Sequence, residues 1–159
     1  GFTATAGMLQ NTLTWTSPPD GDVTGVTIRF STYGHPASPA EGELVADESG
    51  EPSWPDTTVH TGLTRGLTYY YSVFPHDWMM NHGPPAYAQA VPLGPADFDR
   101  DGDVDQADFG HFQACISGSG VPLRPGCEDA DLVPDNAIDG GDFSVFNACM
   151  AGPGQTPGC

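Results

Sequence analysis

The sequence predicts a mainly β chain with a small α domain, in which a β-sandwich precedes two similar loop–helix units. Three observations over its 159 residues lead to this fold class. Short runs of alternating apolar and polar residues recur through residues 1–94 and are typical of antiparallel strands. An acidic segment then occurs twice at a fixed offset, each time followed by apolar residues at helical spacing. All four cysteines lie in this second part, which we expect to be a domain of its own at residues 95–159.

The first domain contains five alternating runs, separated by turns rich in proline and glycine. Leu13 and Trp15, for example, share one face of the first run. Regular short strands between such turns indicate a β-sandwich. We therefore expect strands at residues 11–16, 26–30, 57–60, 68–74 and 86–91, with a candidate edge strand at 43–46. Two prolines and one glycine within residues 91–96 predict a short, stiff connector to the second domain.

Three residues relate the first domain to a known family. Trp15 is the single large aromatic residue of the run at residues 11–16, and Leu63 precedes Tyr69 by six residues across a turn. With these residues, positions 1 to about 93 resemble a fibronectin type III domain of the bacterial extracellular kind. The resemblance implies an Ig-like sandwich with Trp15 on the second strand of the family and Tyr69 in its core, and with Leu63 before the turn into the sixth strand. The long, proline-rich stretch at residues 35–55 departs from the family pattern.

Three consecutive apolar residues fall where the last hairpin loop of the sandwich should lie: Trp78, Met79 and Met80. Neighbouring residues of a loop cannot all point into one core. Exposed tryptophan and methionine are enriched at protein interfaces. These residues therefore either form a contact surface or fold back to cap the sandwich.

His76, Asp77 and His82 flank this loop and carry groups that bind transition metals. Their spacing matches no established metal motif. We interpret them as ordinary loop residues.

The first acidic segment, residues 97–108, has the pattern of an EF-hand-type calcium loop. Carboxylates occupy loop positions 1, 3, 5, 9 and 12, with Gly102 at position 6 and Val104 at position 8. Ca²⁺ prefers six to eight oxygen ligands, and Gly102 permits the sharp turn because it reaches positive φ without steric cost. We expect the side chains of Asp97, Asp99, Asp101 and Asp108, the backbone carbonyl of Asp103, and Asp105 through water, to be the ligands.

The segment recurs 34 residues later at 131–142, so that the two repeats span 97–127 and 131–159. Val133 at position 3 cannot bind a metal, and Asn136 replaces the glycine, which asparagine tolerates. We therefore expect a second calcium site that is either weaker or unoccupied, at Asp131, Asp135, the carbonyl of Ala137, Asp139 and Asp142. A solvated acidic linker is the alternative, but it would not keep aliphatic and phenylalanine positions in register.

Each loop is followed by a short helix with one apolar face. The predicted faces are Phe109, Phe112 and Ile116 in the first helix, and Phe143, Phe146 and Met150 in the second. Gly118 and Gly152 are expected to end the helices. Neither face is large enough to fold alone, so we expect the helices to pack as a pseudo-twofold pair, supported by metal and disulfides.

The cysteines predict disulfides rather than zinc, because no Cys-X-X-Cys spacing occurs. Each repeat has one cysteine near its helix end and one about a dozen residues later, which favours two local pairs: Cys115–Cys127 and Cys149–Cys159. Four cysteines allow three connectivities, and the sequence leaves the other two open. Disulfides indicate an extracellular or cell-surface location.

The duplicated loop–helix unit resembles a dockerin, a calcium-binding module of bacterial extracellular proteins, over residues 97–159. The resemblance implies calcium at the positions named above, with aspartate rather than glutamate at position 12. It also implies a cohesin-like partner on a scaffold or surface protein, contacted through loop positions 10 and 11 and the helix. These positions are Gln106 and Ala107 in the first repeat and Gly140 and Gly141 in the second.

The charge balance limits the functions open to the chain. With 21 Asp and Glu against four arginines and no lysine, the net charge is −17, which disfavours binding to nucleic acid or anionic membranes. No apolar run is long enough to insert into a membrane, and no motif places a catalytic set. Because no initiator methionine or signal peptide is present, Gly1 is expected to be the start of a processed chain.

We therefore expect a non-catalytic, calcium-stabilised extracellular assembly protein that contacts other copies of itself or a cohesin-like surface protein. A self-assembling subunit of a surface fibre is one form of this hypothesis. The alternative is an anchoring module at the C-terminus of a secreted hydrolase.

Overall fold

Seven antiparallel strands build the first of two compact units, Gly1–Pro92, within residues 1–155 and 157–159, which the computed structural model describes. They form a three-stranded sheet of order β1-β2-β5 and a four-stranded sheet of order β4-β3-β6-β7. The predicted β-sandwich is confirmed, and β1 is an addition to the predicted strands. The strands are β1 (Phe2–Gly7), β2 (Gln10–Thr16), β3 (Gly25–Ser31), β4 (Glu43–Ser49), β5 (Pro55–Thr61), β6 (Tyr69–His76) and β7 (Ala86–Ala90).

Both sheets contribute side chains to a single core in this unit. Leu13 and Trp15 on β2 pack in one buried cluster with Ile28 on β3 and Tyr71 on β6, because alternate residues of each strand face inward. Burial of this apolar surface is the main stabilising term, at about 25 cal/mol per Å².

Trp15 and Tyr69 are buried, as the sequence predicted, and Leu63 is buried as well. The hydroxyl of Tyr69 accepts a hydrogen bond from the backbone N–H of Thr64 at 3.0 Å. A tyrosine near the start of a strand that bonds back to the preceding turn is a feature of Ig-like sandwiches. The strand order and this tyrosine corner agree on a fibronectin III-like sandwich.

The second unit, Leu93–Cys159, is built from the two loop–helix repeats. Helix α1 spans Gln106–Cys115 and helix α2 spans Gly140–Cys149. Phe112 and Phe146 are fully buried, and their rings stack with centroids 5.0 Å apart. The helices therefore pack against each other through their phenylalanines, because Phe109 and Phe143 also make ring contacts across the pair.

The predicted helix faces were wrong in part, because Ile116, Phe143 and Met150 are 43%, 43% and 39% exposed. Ile116 and Met150 follow the last residue of each helix. The buried positions are Asp108, Phe112 and Cys115 in α1, and Asp142, Phe146 and Cys149 in α2. Hydrogen bonds to the loop hold each aspartate inward, and a disulfide holds each cysteine inward. The buried face of each helix therefore differs from the face that apolar spacing alone predicts.

One disulfide joins the end of each helix to the segment that follows it. These disulfides join Cys115 to Cys127 and Cys149 to Cys159, which are the two local pairings that the sequence favours. Of the helices in the described part of the chain, none is sufficiently long and apolar to cross a membrane.

Candidate metal loops and contact loop

The first acidic loop turns tightly before α1. Arg100 and Gly102 have φ angles of 66° and 99°, in the left-handed region. A Cβ placed on Gly102 would meet no atom within 4 Å. Glycine is therefore favoured here by the backbone conformation and not by lack of space, as the sequence predicted.

The loop brings carboxylate oxygens together in two overlapping groups. Oxygens of Asp97, Asp99 and Asp108 lie within 4.8 Å of one another, and so do oxygens of Asp103, Asp105 and Asp108. Asp101 belongs to neither group, and its Oδ1 accepts the backbone N–H of Asp103 at 3.1 Å. Five of the six predicted ligand residues thus lie around the shared Asp108 carboxylate.

Asp108 is buried and connects the two ends of its loop. Its Oδ1 accepts the backbone N–H of Phe98 at 2.7 Å and that of Asp99 at 3.3 Å, and its Oδ2 accepts the N–H of Asp105 at 2.9 Å. Asp105 in turn caps α1 by accepting the N–H of Ala107 at 2.7 Å. These charge-assisted bonds hold the carboxylates in place.

Desolvation and then crowding of like charges affect the protonation of this loop. Burial, and then the charge of Asp108, raise the pKa of Asp97, although the N–H groups of Arg100 and Gly102 oppose the shift. Desolvation, and then the charge of Asp108, also raise the pKa of Asp99. The loop therefore holds its carboxylates against mutual repulsion.

Two carboxylate oxygens in the loop are buried without a partner. Within the described residues, Asp97 Oδ1 and Asp103 Oδ1 have no hydrogen-bond donor, while Asp103 Oδ2 accepts the backbone N–H of Gly154. A buried charged oxygen without a partner costs free energy. A cation among these oxygens would offset that cost, and an all-oxygen donor set fits a hard cation such as Ca²⁺.

The second loop repeats the backbone pattern but not the convergence of carboxylates. Asp142 Oδ1 accepts the N–H of Val133 at 2.9 Å and Oδ2 accepts that of Asp139 at 2.8 Å. Asp131 accepts N–H groups from Asp135 at 3.3 Å and Asn136 at 3.1 Å. Across residues 131–142, all of which the structure describes, no three carboxylates have oxygens within 4.8 Å of one another.

Ala137, predicted to supply a carbonyl, is buried, and Val133 is exposed. Positions 10 and 11 of both loops lie at the surface: Gln106, Ala107, Gly140 and Gly141 are all exposed.

The apolar loop of the sandwich, residues 77–82, presents its large side chains to solvent. Trp78, Met79 and Met80 are 78%, 63% and 48% exposed, so they do not fold back over the sandwich. Asp77 holds the loop in shape, because its carboxylate accepts the N–H of Met79 at 2.8 Å, the N–H of Asn81 at 2.9 Å and the side-chain amide of Asn81 at 2.8 Å. The side-chain bond from Asn81 is the largest of the effects that lower the pKa of Asp77. We refer to this segment as the contact loop.

Beside the contact loop, His76 is not the loop residue that the sequence predicted, because it ends β6 and is buried in a polar cluster. His76 Nε2 lies 3.1 Å from Asp47 Oδ1, and the hydroxyl of Thr27 lies between Asp47 and His82. The histidines were visible in the sequence, but Asp47 is 29 residues away on an edge strand. Only the register of β3 with β4 and β6 brings these side chains together.

Comparisons with known proteins give similar folds but no family assignment. No protein-family model matches the chain, and no curated protein matches it. An Fn3-like protein from Clostridium thermocellum is 20% identical, with 58% of this chain and 92% of that chain covered and a TM-score of 0.40. The fibronectin(III)-like modules of C. thermocellum CbhA are 14% identical, with 57% and 86% covered and a TM-score of 0.38.

A β-1,2-glucanase from Parabacteroides distasonis is also similar, at 19% identity and a TM-score of 0.41. The match covers 57% of this chain and only 12% of that enzyme. Likenesses this weak assign no function, and the assignment of a sandwich rests on the strand order and core described above.

Proposed function

We propose that this chain is a non-catalytic, calcium-stabilised module that makes protein–protein contacts outside the cell. The observation that carries this function is the contact loop, where an ordered turn presents one tryptophan and two methionines to solvent. An ordered backbone loses less conformational entropy on binding, and an exposed aromatic residue is a frequent energetic centre of interfaces. The two disulfides support an oxidising, extracellular or cell-surface setting.

Calcium is assigned to the first loop on the chemistry of its residues. Asp97, Asp99, Asp101 and Asp108, the carbonyl of Asp103, and Asp105 through water would hold the ion. When bound, Ca²⁺ supplies the positive charge that offsets repulsion among these carboxylates. The buried, unpartnered oxygens of Asp97 and Asp103 support this assignment.

The second loop is proposed as a weaker site at Asp131, Asp135, Asp139 and Asp142, with the carbonyl of Ala137. Its carboxylates are spread further apart, and Val133 stands where the first loop has Asp99. Fewer charged oxygens lower calcium affinity.

The partner proposed for the contact loop is another copy of this chain, as in a fibre subunit. Replacing Trp78 with alanine should weaken self-association at least tenfold, which corresponds to about 1.4 kcal/mol. Sedimentation velocity across a concentration series in calcium measures this effect. Trp54 is also well exposed, at 60%, so that Trp54→Ala is a matched control that should leave association unchanged.

Two results would contradict this role of the contact loop. The first is a wild-type chain that stays monomeric at all concentrations in calcium. The second is a Trp78→Ala chain whose melting temperature falls while its association stays intact, because Trp78 would then serve the fold.

The alternative, an anchoring module of a secreted hydrolase, is favoured by one observation. Positions 10 and 11 of both loops, where a cohesin-like partner would bind, are exposed. Under this alternative, Ala107→Arg should abolish binding to a cohesin domain, while Trp78→Ala should have no effect. A pull-down with both variants separates the two functions.

A further inference from the structure

The segment that follows α2 hydrogen-bonds to the acidic loop of the other repeat. The backbone N–H groups of Ala151 and Gly152 donate to the backbone carbonyl of Val104, at 3.1 and 3.2 Å. Val104 lies at position 8 of the first loop and is fully buried. The first loop is therefore supported by a segment that lies more than a whole repeat further along the chain.

The segment that follows α1 makes the same contact in the other direction. The N–H groups of Ser117 and Gly118 donate to the carbonyl of Ile138, both at 3.0 Å, and the N–H of Ile138 donates to the Ser117 hydroxyl at 3.0 Å. These three residues stand in their repeats where Ala151, Gly152 and Val104 stand, at the offset of 34 residues. The exchange of hydrogen bonds thus follows the duplication in both directions.

The first loop has a further bond to the segment behind α2, at residues 151–154, which we call the support segment. The N–H of Gly154 donates to Oδ2 of Asp103, at loop position 7. A hydrogen bond to a carboxylate is charge-assisted and stronger than one between neutral groups. The second loop has Ala137 at this position, whose side chain has no acceptor. The support segment therefore holds the first loop at two consecutive residues, Asp103 and Val104.

Each disulfide encloses the segment that bonds to the opposite loop. The bridge from Cys149 to Cys159 encloses residues 151–154, and the bridge from Cys115 to Cys127 encloses residues 117–118. A disulfide restricts the chain that it encloses. Each bridge therefore limits the motion of residues that support the other repeat rather than its own.

Close backbone contact at the end of the chain adds to this restraint. The N–H of Gly158 donates to the carbonyl of Cys149 at 3.0 Å. A Cβ on Gly158 would lie 2.6 Å from the carbonyl oxygen of Ala148, which is too close for any side chain. The chain thus returns directly against the end of α2 before it reaches Cys159.

The first loop needs such support because its carboxylates repel one another. Oxygens of Asp103, Asp105 and Asp108 lie within 4.8 Å of one another, a separation at which like charges oppose the folded loop. A loop that is already held in its binding shape loses less conformational entropy when it binds an ion. The carbonyl of Asp103, one of the proposed calcium ligands, lies between the two groups that the support segment holds.

We propose that the support segment, held by the Cys149–Cys159 disulfide, positions the first acidic loop for calcium, so that this disulfide sets the calcium affinity of the opposite repeat. The inference rests on the proposed calcium site of the first loop. Asp103 acts in it as a positioning residue, because its side chain accepts the bond from Gly154 while its carbonyl faces the ion.

Calcium titration of the full chain, followed by NMR of its backbone amides, tests this coupling because it separates the two loops. Gly102 and Asn136 both stand at loop position 6, so that their N–H signals report the first and the second loop respectively. Replacing both Cys149 and Cys159 with serine should weaken calcium binding at Gly102 by at least about fivefold, because the support segment must then be ordered on binding.

The other disulfide provides a matched control. Cys115→Ser together with Cys127→Ser removes a bridge of similar size, with cysteines 12 rather than 10 residues apart. This chain loses a comparable restraint on its unfolded state, but it keeps the support segment in place. It should therefore bind calcium at Gly102 as the wild type does.

Two further variants keep the test valid if the chain without the Cys149–Cys159 bridge fails to fold. Asp103→Ala removes the acceptor for Gly154 but retains the backbone carbonyl, and it should weaken first-loop binding by at least about fivefold. Asp103→Asn keeps an oxygen that accepts this N–H and should retain most of the affinity. Equal losses in the two variants would show that the charge of Asp103 matters and its bond to Gly154 does not, which would overturn the proposal.

The outcomes separate this inference from the calcium site on which it rests. Equal losses at Gly102 in the two serine double variants would overturn the inference, as would a loss seen only at Asn136 when the Cys149–Cys159 bridge is removed. In both cases the wild type still binds calcium, and the proposed calcium site stands. A wild-type chain that binds no calcium would contradict that site and this inference with it.

Discussion

At the scale of single residues, Asp108 and Asp142 stabilise their loops through hydrogen bonds to the backbone. Each is buried, lies at loop position 12 and accepts backbone N–H groups from both ends of its loop. A buried N–H without an acceptor costs about 1–3 kcal/mol. An aspartate at this position therefore determines the loop shape as well as completing the proposed calcium site.

A buried polar network in the sandwich is a second feature set by single residues. The amide of Asn11 donates to the hydroxyl of Tyr71 at 2.9 Å, and this hydroxyl lies 3.1 Å from Nδ1 of His60. Burial raises the pKa of Tyr71 to about 12, so its hydroxyl keeps a proton to donate to a neutral His60. Burial lowers the pKa of His60, although the charge of Glu43 opposes the shift.

This network predicts that the sandwich loses stability as the pH falls. The unfolded chain binds a proton at His60 at a higher pH than the folded chain does. The contribution of His60 is therefore fully present above its ordinary pKa of 6.5 and is lost as the pH falls through the lower folded value. Between about pH 7.5 and about pH 5, the free energy of unfolding should fall more in the wild type than in His60→Gln.

Urea unfolding followed by tryptophan fluorescence measures this difference in the first unit alone, since Trp15, Trp54 and Trp78 all lie there. Equal losses in the two proteins would show that the titration of His60 does not affect stability.

At the scale of elements, local patterns in the sequence predicted where most strands lie, but they did not predict which strands pack beside one another. The strands at 11–16 and 26–30 were found because their period is local, and the edge strand predicted at 43–46 extends to Ser49. The proximity of Asp47 and His76 was not predictable, because it depends on which strands become neighbours and in what register. Long-range pairing leaves no local signal in a single sequence.

The helix faces illustrate a different limit of prediction. Apolar spacing favoured Phe143 at the core, but the structure leaves it 43% exposed and buries Asp142 and Cys149. A hydrogen-bonded aspartate and a disulfide cysteine are both satisfied inside a small core. Hydrophobicity alone does not identify such positions.

The difference between the two loops gives a prediction at this scale. Asp101→Ala should reduce calcium affinity more than Asp135→Ala does, because the first loop has the larger set of converging carboxylates. The two substitutions occupy the same loop position and are matched controls for each other. Calorimetric titration measures the calcium affinity of both variants. A larger loss in Asp135→Ala would contradict the prediction and would mean that another group in the second loop binds calcium in place of Val133.

At the scale of the whole molecule, the acidic residues are concentrated in the second unit, where the proposed calcium would offset their repulsion. Twelve of the 21 acidic residues lie between Asp97 and Asp142, where only two arginines occur. A unit of this size has a small core, and such domains need disulfides or metal in addition. The sequence predicts the disulfides of this unit and proposes its calcium, whereas the partner proposed for the contact loop depends on a surface that this sequence does not describe.

Differential scanning calorimetry with and without a calcium chelator, at neutral pH and with the disulfides intact, tests the central claim most directly. For a dissociation constant near 10⁻⁵ M, millimolar calcium would stabilise the second unit by about 2.7 kcal/mol per site, which is roughly 10 °C or more in melting temperature for a unit of this size. Tryptophan fluorescence reports the first unit and serves as the internal control. We expect chelation to lower the transition of the second unit by that amount while the tryptophan-detected transition stays in place. A calorimetric profile unchanged by chelation would contradict calcium stabilisation.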